Sequence, residues 1–355
     1  MKIVVRGTNW IGDAVMSVPA LKELRRIFPD AEITLHTRTW AEGLFGDAPF
    51  IDELVTFDKG KWAAKDVLDN SKFLKEDRYD LAVILPNSFE SALTSFLSSV
   101  PRRFGYNKDL RGLLLTDPIA VPEWKNRRHE VFYYLNLVSE VEKRLLGRDT
   151  VSAALPNAEL IVADSALASA AERLQKEGAN LGNPTIAIGA GSTNSLAKRW
   201  PIDRFVPLID SIALTWSPNV VLLGDKEEVK VAHEVSRTTR NTMIDLTGRT
   251  SLSEAMSILG VADLMVSNDM GLAHVAAAVG TPTIVLFGPT NPATTRPWGD
   301  NVTVLQRDAT CKFCERGDRT SRHVCEKWPS APEVVEAVTH ALDKKHVLNE
   351  LATVI

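Results

Sequence analysis

MKIVVRGTNWIGDAVMSVPALKELRRIF, residues 1–28, opens with a short β-branched run and passes through glycines into a stretch with helical spacing. The run Lys2–Arg6 predicts a strand. Apolar residues that recur from Val15 to Leu24 predict a helix over Asp13–Phe28. A strand that leads through a glycine loop into a helix is typical of the first unit of a parallel α/β sheet.

The same alternation recurs along the chain in two series, which predicts an α/β protein with two parallel sheets. Leu81–Leu85, for example, is a continuous apolar run closed by Pro86, as expected of a parallel strand buried on both faces. The predicted strands are Lys2–Arg6, Ala31–His36, Leu54–Phe57 and Leu81–Leu85 in the first series, and Thr185–Gly189, Val220–Leu223, Leu264–Ser267 and Thr283–Phe287 in the second. The predicted helices of the second half are Ser165–Lys176, Asp203–Ala213, Glu227–Arg240, Ser251–Leu259 and Gly271–Val279.

The length of 355 residues allows two domains. We expect two Rossmann-like domains, residues 1–165 and 180–330, which face each other across a cleft where the carboxyl ends of their strands meet. Residues 331–355 predict a C-terminal helix, which we expect to pack back on the N-terminal domain.

The composition is that of an ordinary globular protein, with 45% hydrophobic and 24% charged residues. The formal net charge of −4 argues against a surface built for nucleic acid. Three cysteines form no disulfide framework, and the N-terminus lacks the apolar region of a secretory signal. We therefore expect a cytoplasmic protein, and we expect it to be a monomer.

A group of cysteines near the C-terminus is a candidate metal site. Cys311, Cys314, His323 and Cys325 could together hold zinc in tetrahedral geometry. However, the H-x-C spacing of the second pair departs from the usual zinc spacing, and the segment is rich in charged residues. We therefore expect no structural zinc there and no other cofactor.

Asp13 is the candidate catalytic carboxylate. The segment Gly7–Asp13 joins the first strand to the first helix, which places Asp13 at the carboxyl edge of the sheet. The segment has neither the Walker pattern nor the dinucleotide-binding pattern. Position alone leaves a second interpretation open, in which Asp13 only caps the helix.

Two segments of the second half predict a pocket for a nucleotide diphosphate. Ser267–His274 follows a strand and begins a helix, and backbone N–H groups at a helix N-terminus bind anions. Asp269 would repel phosphate, so we expect it to accept hydrogen bonds from sugar hydroxyls, unless it is a simple N-cap. Lys198 or Arg199, which follow the run Gly189–Ser192, could neutralise a diphosphate leaving group. A solvated basic pair with Arg199 is the alternative.

The segment Arg102–Arg128 is locally basic, with seven Lys or Arg residues against three acids. Such an excess suits an anionic acceptor, for example a phosphorylated glycolipid at a membrane face. A solvated loop is the alternative interpretation.

Taken together, these motifs resemble those of the lipopolysaccharide heptosyltransferases of glycosyltransferase family 9. The resemblance covers Met1 to about Pro297 and implies a GT-B fold, with an N-terminal domain that binds the acceptor and a C-terminal domain that binds the donor. The motifs that carry it are Gly12-Asp13, Arg78-Tyr79-Asp80, Leu85–Leu93, Pro101–Tyr106, Ala197–Pro201 and Asn268–Ala278.

The resemblance also implies roles for individual residues. Asp13 matches the general base of the family, and Lys198 matches a lysine at the donor phosphates, so these two are the candidate catalytic residues. Met270 departs from the small Ser or Thr expected at its position, which leaves only a backbone contact there. The candidate donor-binding residues are Lys198, Glu228, Asp269, Met270, Gly271 and His274. The candidate acceptor-binding residues are Asn87, Ser88, Arg102, Arg103, Lys108 and Arg111.

The activity that the resemblance implies is an inverting, metal-independent transfer of L-glycero-D-manno-heptose from ADP-heptose to a heptose hydroxyl of the lipopolysaccharide inner core. The protein would then contact the inner face of the inner membrane peripherally. Three alternatives remain open: a family member that uses another nucleotide-sugar or acceptor, a nucleotide-sugar epimerase of the same two-domain plan, and a non-catalytic nucleotide-sugar binding protein. Turnover of donor alone would indicate the epimerase, whereas tolerance to loss of Asp13 would indicate the binding protein.

Overall fold

The computed structural model describes residues 1–61, 63–192, 195–311 and 325–354. The chain divides into two units, Met1–Ala158 and Glu159–Ile355. Each unit contains one six-stranded sheet in which every paired strand is parallel to its neighbour. The predicted α/β fold with two parallel sheets is therefore confirmed.

The first unit has the strand order β3-β2-β1-β4-β5-β6. The chain adds strands on one side of β1 and then returns to add the others from β4, so the pair β1/β4 is the switch point of the sheet. The strands are β1 Lys2–Arg6, β2 Glu32–Arg38, β3 Glu53–Phe57, β4 Leu81–Ile84, β5 Arg102–Tyr106 and β6 Asp117–Ile119. The helices are α1 Ile11–Ile27, α2 Glu42–Phe45, α3 Ala63–Glu76, α4 Phe89–Leu97 and α5 Glu130–Leu146, and 3-10 helices lie at Thr39–Ala41, Arg111–Leu114 and Val151–Ala153.

The centre of the first sheet is buried on both faces. Val5 pairs with Leu35 of β2 on one side and with Val83 of β4 on the other, and all three side chains are buried. Helices α1 and α5 pack against each other, as do α3 and α4. Because both faces are covered, the strands need apolar residues at successive positions. These strands are predicted from the sequence by that pattern.

The second unit repeats this arrangement, with the strand order β12-β11-β10-β7-β8-β9 and a switch point between β7 and β10. The strands are β7 Thr185–Gly189, β8 Asn219–Leu222, β9 Ile244–Asp245, β10 Leu264–Asn268, β11 Thr283–Leu286 and β12 Val302–Leu305. The helices are α6 Asp164–Lys176, α7 Ile202–Trp216, α8 Val229–Thr238, α9 Leu252–Val261, α10 Gly271–Ala278, α11 Pro292–Thr295 and α12 Ala331–Val354, with a 3-10 helix at Leu196–Lys198.

Helix α12 packs against α7 and β10. Its side chains Val334, Val338 and Leu342 are buried in the core of the second unit, in the same cluster as Trp200 and Phe205. The expected contact of this helix with the N-terminal domain stays a prediction. In the part of the chain that the structure describes, no helix is both long enough and apolar enough to cross a membrane.

Candidate active site

Asp13 lies at the switch point of the first sheet, in the first turn of α1. The helix begins at Ile11, and its N-cap is Trp10, whose side chain makes no capping bond. The Oδ1 atom of Asp13 accepts a hydrogen bond of 3.2 Å from the hydroxyl of Tyr134, which lies on α5. Asp13 is therefore not the N-cap, and its carboxylate is engaged by a side chain of a different helix.

Tyr134 keeps its proton at this position. Burial raises the pKa of its hydroxyl well above the ordinary value, and the charge of Asp13 raises it further. A protonated phenol donates one hydrogen bond, and here the acceptor is the Asp13 carboxylate. Tyr134 therefore orients the candidate base and stabilises its negative charge.

A cavity of about 250 Å³ lies beside Asp13. Asn87 and Ser88, which follow β4 at the same switch point, line it together with Asp13, as does Trp10, whose side chain is half exposed. The lining offers an aromatic ring, an amide, hydroxyls and a carboxylate, which are the groups that bind a sugar. The structure therefore brings two of the predicted acceptor-binding residues together with the predicted base.

Arg111 supports this cavity from within the protein. It is fully buried, and its guanidinium donates to the carbonyl oxygen of Tyr106 at 2.7 Å, to the carbonyl oxygen of Pro86 and to Asn87 Oδ1 at 3.4 Å. Burial lowers the pKa of Arg111 to about 10, so the group is still a cation at neutral pH. The hydroxyl of Tyr133 also donates to Asn87 Oδ1, at 3.3 Å. Arg111 therefore positions the loop of Asn87.

The other basic residues predicted to bind the acceptor lie elsewhere. Arg102 and Arg103 begin β5, so they are at the amino edge of the sheet, whereas Asp13 is at the carboxyl edge. Arg102 forms a bidentate pair with Asp117, at 2.8 Å for both bonds, and Arg103 donates to the carbonyl oxygen of Leu114 at 2.8 Å. The structure does not bring these two arginines together with Asp13. Lys108 is exposed in the loop that follows β5, outside the cavity lining.

In the second unit, Lys198 and Asp269 form an ion pair across the switch point. The Lys198 ammonium is 2.7 Å from Asp269 Oδ2, and the carboxylate is almost fully buried while the lysine is partly exposed. The Oδ2 atom also accepts a hydrogen bond of 2.9 Å from Thr290. Asp269 precedes Met270, the N-cap of α10, so it is not a simple cap. The predicted cation and the predicted sugar-binding carboxylate are therefore neighbours.

Asn268 and Trp200 hold this ion pair in place. Buried Asn268 donates to the carbonyl oxygens of Ala190 at 2.7 Å and Gly191 at 3.1 Å, and its Oδ1 accepts from the Trp200 backbone N–H at 3.0 Å. The Trp200 ring is fully buried, and its Nε1 donates to the carbonyl oxygen of Pro329 at 2.9 Å. The loop that carries Lys198 is thus bonded to the end of β10, and the tryptophan anchors it in the core.

Glu228 is buried at the same edge of the second sheet. It directly precedes α8, and its Oε2 accepts a hydrogen bond of 3.0 Å from the backbone N–H of Asp225. Two glycines make room for the carboxylate, because a Cβ on Gly191 would overlap it and a Cβ on Gly224 would lie 2.6 Å from Oε2. A small cavity of about 10 Å³, close to the size of one water, adjoins Glu228 and Thr247.

The N-terminus of α10 carries the remaining predicted donor-binding residues. Met270 is the N-cap and Gly271 the first helical residue, and the first turn contains no acidic side chain. The backbone N–H groups there are suited to bind an anion. His274 is buried inside the helix. Lys198, Asp269 and the α10 N-terminus together provide a cation, backbone donors and a carboxylate, which can bind a sugar diphosphate.

Several of these residues were not predicted. Tyr133 and Tyr134 lie on α5, and the sequence does not indicate that either belongs to a site, because a tyrosine on a helix is ordinarily a packing residue. Trp200 and Asn268 lie inside the motifs Ala197–Pro201 and Asn268–Ala278, in which the sequence indicates roles only for neighbouring residues. The roles of all four depend on contacts with segments far away in the sequence.

The proposed absence of a zinc site stays a prediction. Cys311 and Cys325 are buried in the core of the second unit, in the cluster that contains Trp328. Cys314 and His323 lie outside the described residues. Among the residues that are described, no three His, Cys, Asp or Glu side chains are grouped as metal ligands.

The chain is similar to known proteins in both sequence and fold. Residues 67–324 match the sequence profile of glycosyltransferase family 9 (heptosyltransferase). The lipooligosaccharide heptosyltransferase 2 of Haemophilus influenzae is 29% identical over 314 residues, which is 86% of this chain and 88% of the relative. The lipopolysaccharide heptosyltransferase 2 of Escherichia coli is 28% identical over 326 residues, or 90% and 91% of the two chains. The solved structure of E. coli ADP-heptose lps heptosyltransferase II is 25% identical, with a TM-score of 0.81 over 98% of this chain and 100% of that one.

Proposed function

The chain belongs to glycosyltransferase family 9, the heptosyltransferases, and is a glycosyltransferase of the GT-B class; on this premise we propose that it transfers L-glycero-D-manno-heptose from ADP-heptose to a heptose hydroxyl of the lipopolysaccharide inner core. The relatives named heptosyltransferase 2 support a step in the assembly of that core. We further propose that the transfer inverts the anomeric configuration, needs no metal and takes place at the cytoplasmic face of the inner membrane.

The observation that carries the proposal is the pair formed by Lys198 and Asp269 at the N-terminus of α10. A diphosphate needs positive charge and N–H donors, whereas the sugar attached to it needs acceptors for its hydroxyls. Both sets of groups meet at this one point of the second unit. We therefore propose that the second unit binds the donor, with Glu228 as an acceptor for hydroxyls of the adenosine, and that the first unit binds the acceptor.

The reaction requires removal of one proton and stabilisation of one leaving group. The acceptor hydroxyl attacks the anomeric carbon of the heptose, Asp13 takes the hydroxyl proton, and ADP leaves with the electron pair of the glycosidic bond. The charge that develops on ADP is stabilised by Lys198 and the N–H groups of Met270 and Gly271. The ion pair with Asp269 holds the Lys198 ammonium in position before the donor arrives. The diphosphate of the donor then binds as a second anion to the same ammonium group.

The test is a transfer assay with ADP-heptose and heptose-deficient core lipid in the presence of EDTA. We expect transfer with the wild-type protein, and for Asp13→Asn a loss of about 10²–10⁴ in kcat with unchanged affinity for ADP-heptose. Asp30→Asn is the matched control, because Asp30 is an exposed aspartate in the turn after α1.

Three results would contradict the proposal in different ways. Near-normal turnover by Asp13→Asn would exclude the assigned base. Binding of ADP-heptose without transfer to core lipid would indicate another acceptor. Conversion of the donor without any acceptor would indicate an epimerase.

A further inference from the structure

The Asp269 carboxylate uses only one of its two oxygens within the protein. Its Oδ2 atom is 2.7 Å from the Lys198 ammonium and accepts a hydrogen bond of 2.9 Å from the Thr290 hydroxyl. Its Oδ1 atom accepts no hydrogen bond from any residue that the structure describes, and it is not enclosed by protein. The side chain is nevertheless only 5% exposed. Buried polar groups ordinarily have partners, so Oδ1 is the oxygen that is left for a ligand.

The bond from Thr290 fixes the plane of this carboxylate. Lys198 alone does not fix it, because an ammonium group is a compact cation on a flexible stem and can follow the carboxylate as it turns. Threonine is branched at Cβ and has few side-chain rotamers, so its hydroxyl is a second donor at a set position. Once two partners hold Oδ2, the direction of Oδ1 is defined as well.

The loop that carries Thr290 is itself held by the core of the second unit. The Gln306 side chain donates to the carbonyl oxygens of Gly288 at 2.8 Å and Thr290 at 2.9 Å, so one amide group bonds the loop at two points. The backbone at Gly288 lies directly against the buried Trp328 ring, because a Cβ there would be 2.4 Å from it. The position of the Thr290 hydroxyl is therefore set by the fold before any ligand binds.

We propose that Thr290 is a positioning residue for the donor sugar, and that it holds Asp269 so that Oδ1 accepts a hydrogen bond from a hydroxyl of that sugar. The inference rests on the proposed function, because it takes the ligand to be a nucleoside diphosphate sugar. A hydroxyl that donates to an ionised carboxylate forms a strong hydrogen bond. The same bond holds the anomeric carbon in a fixed place relative to the diphosphate at Lys198, which favours the transfer.

The test compares the binding of ADP-heptose and of ADP by calorimetry, because ADP lacks the sugar that Oδ1 would bind. Thr290→Val keeps the size of the side chain and removes the hydroxyl, so affinity for ADP-heptose should fall about tenfold while affinity for ADP stays within about twofold of wild type. Thr290→Ser keeps a hydroxyl and should retain most of the affinity for ADP-heptose. Thr303→Val is the matched control, because Thr303 is exposed on β12 of the same unit.

A double-mutant cycle tests whether Thr290 acts through Asp269. Asp269→Ala removes both carboxylate oxygens, so the Thr290 hydroxyl no longer has a group to position. Adding Thr290→Val to Asp269→Ala should then cause no further loss of affinity for ADP-heptose, whereas independent effects would multiply. A loss in the double variant that equals the product of the two single losses would show that Thr290 does not act through the carboxylate.

The other outcomes overturn the inference in ways that can be told apart from failure of the proposed function. If Thr290→Val binds ADP-heptose as well as Thr303→Val does, the hydroxyl does not position the sugar contact. If Thr290→Val loses ADP and ADP-heptose equally, Thr290 supports the whole pocket and has no particular role for the sugar. In both cases the wild-type protein still binds and transfers the heptose. If the wild type binds neither ligand, the proposed function fails and the inference fails with it.

Discussion

Acidification should destabilise the first unit through His36, a residue of β2 that is 1% exposed. Its ring lies 4.7 Å from the centre of the Phe57 ring, and its Nε2 is 2.9 Å from Asn70 Oδ1. Burial lowers the pKa of His36 from the ordinary value of 6.5 to about 3, and the nearby Arg6 cation contributes to the shift. His36 is therefore neutral in the folded protein over the range in which the unfolded chain takes up a proton.

The sign and size of the effect follow from this difference. Between pH 6.5 and pH 3 the unfolded chain binds more protons than the folded protein, so the free energy of unfolding decreases as the pH falls through that window. Between pH 7 and pH 5, an ordinary imidazole in the unfolded chain becomes almost fully protonated, which lowers the stability by about 2 kcal/mol. Over the whole difference between the two pKa values, protonation of His36 can lower the free energy of unfolding by at most about 5 kcal/mol.

The assay compares urea unfolding of the wild-type protein and of His36→Gln at pH 7 and pH 5. Glutamine keeps an N–H donor for Asn70 but does not titrate, so the variant should lose about 2 kcal/mol less than the wild type between the two pH values. Hydrogen exchange of peptides from β1 and β2 would assign the loss to the first unit. His233→Gln, at an exposed position of α8, is the control and should follow the wild type. Equal losses in wild type and His36→Gln would refute the reasoning.

Two further predictions concern the candidate site. Tyr134→Phe removes the hydrogen bond to Asp13, so we expect kcat to fall about threefold to thirtyfold. We also expect the acidic limb of the pH–rate profile to move to higher pH. An unchanged profile would show that the hydroxyl of Tyr134 does not act on Asp13. Gly191→Ala would force Glu228 or its loop to move, so affinity for ADP-heptose, measured by calorimetry, should fall about tenfold or more. Gly182→Ala, whose Cβ would lie 3.4 Å from its nearest neighbour, should bind as the wild type does.

The strands were predictable where burial on both faces required an uninterrupted apolar run. The bounds of β1 and β7 agree with the prediction at both ends, and the predicted β10 differs by one residue. Strands β5 and β6 were missed, because β5 begins with two arginines at the edge of its hydrophobic stretch and β6 has three residues. The basic segment Arg102–Arg128, for which a solvated loop was one interpretation, therefore contains β5, β6 and the buried Arg111.

Asp13, Lys198 and Asp269 could be proposed as site residues from the sequence for a local reason. Each lies in the segment that follows a strand at the switch point of its sheet, which is β1 for Asp13, β7 for Lys198 and β10 for Asp269. The carboxyl ends of parallel strands are where such folds bind ligands. Their partners could not be identified in this way. Tyr134 is 121 residues from Asp13, and Asp269 is separated from Lys198 by several strands and helices.

The sequence by itself therefore determined the alternation of strands and helices, the two parallel sheets and the loops that hold the candidate site residues, because these depend on the spacing of residues close together in the chain. Only the tertiary structure decided that Tyr134 donates to Asp13, that Lys198 pairs with Asp269, and that Arg102 and Arg103 lie at the edge opposite the cavity. The physical reason is that hydrogen bonds and ion pairs act over a few ångströms in space, and the strand order of the sheet determines which distant segments come that close.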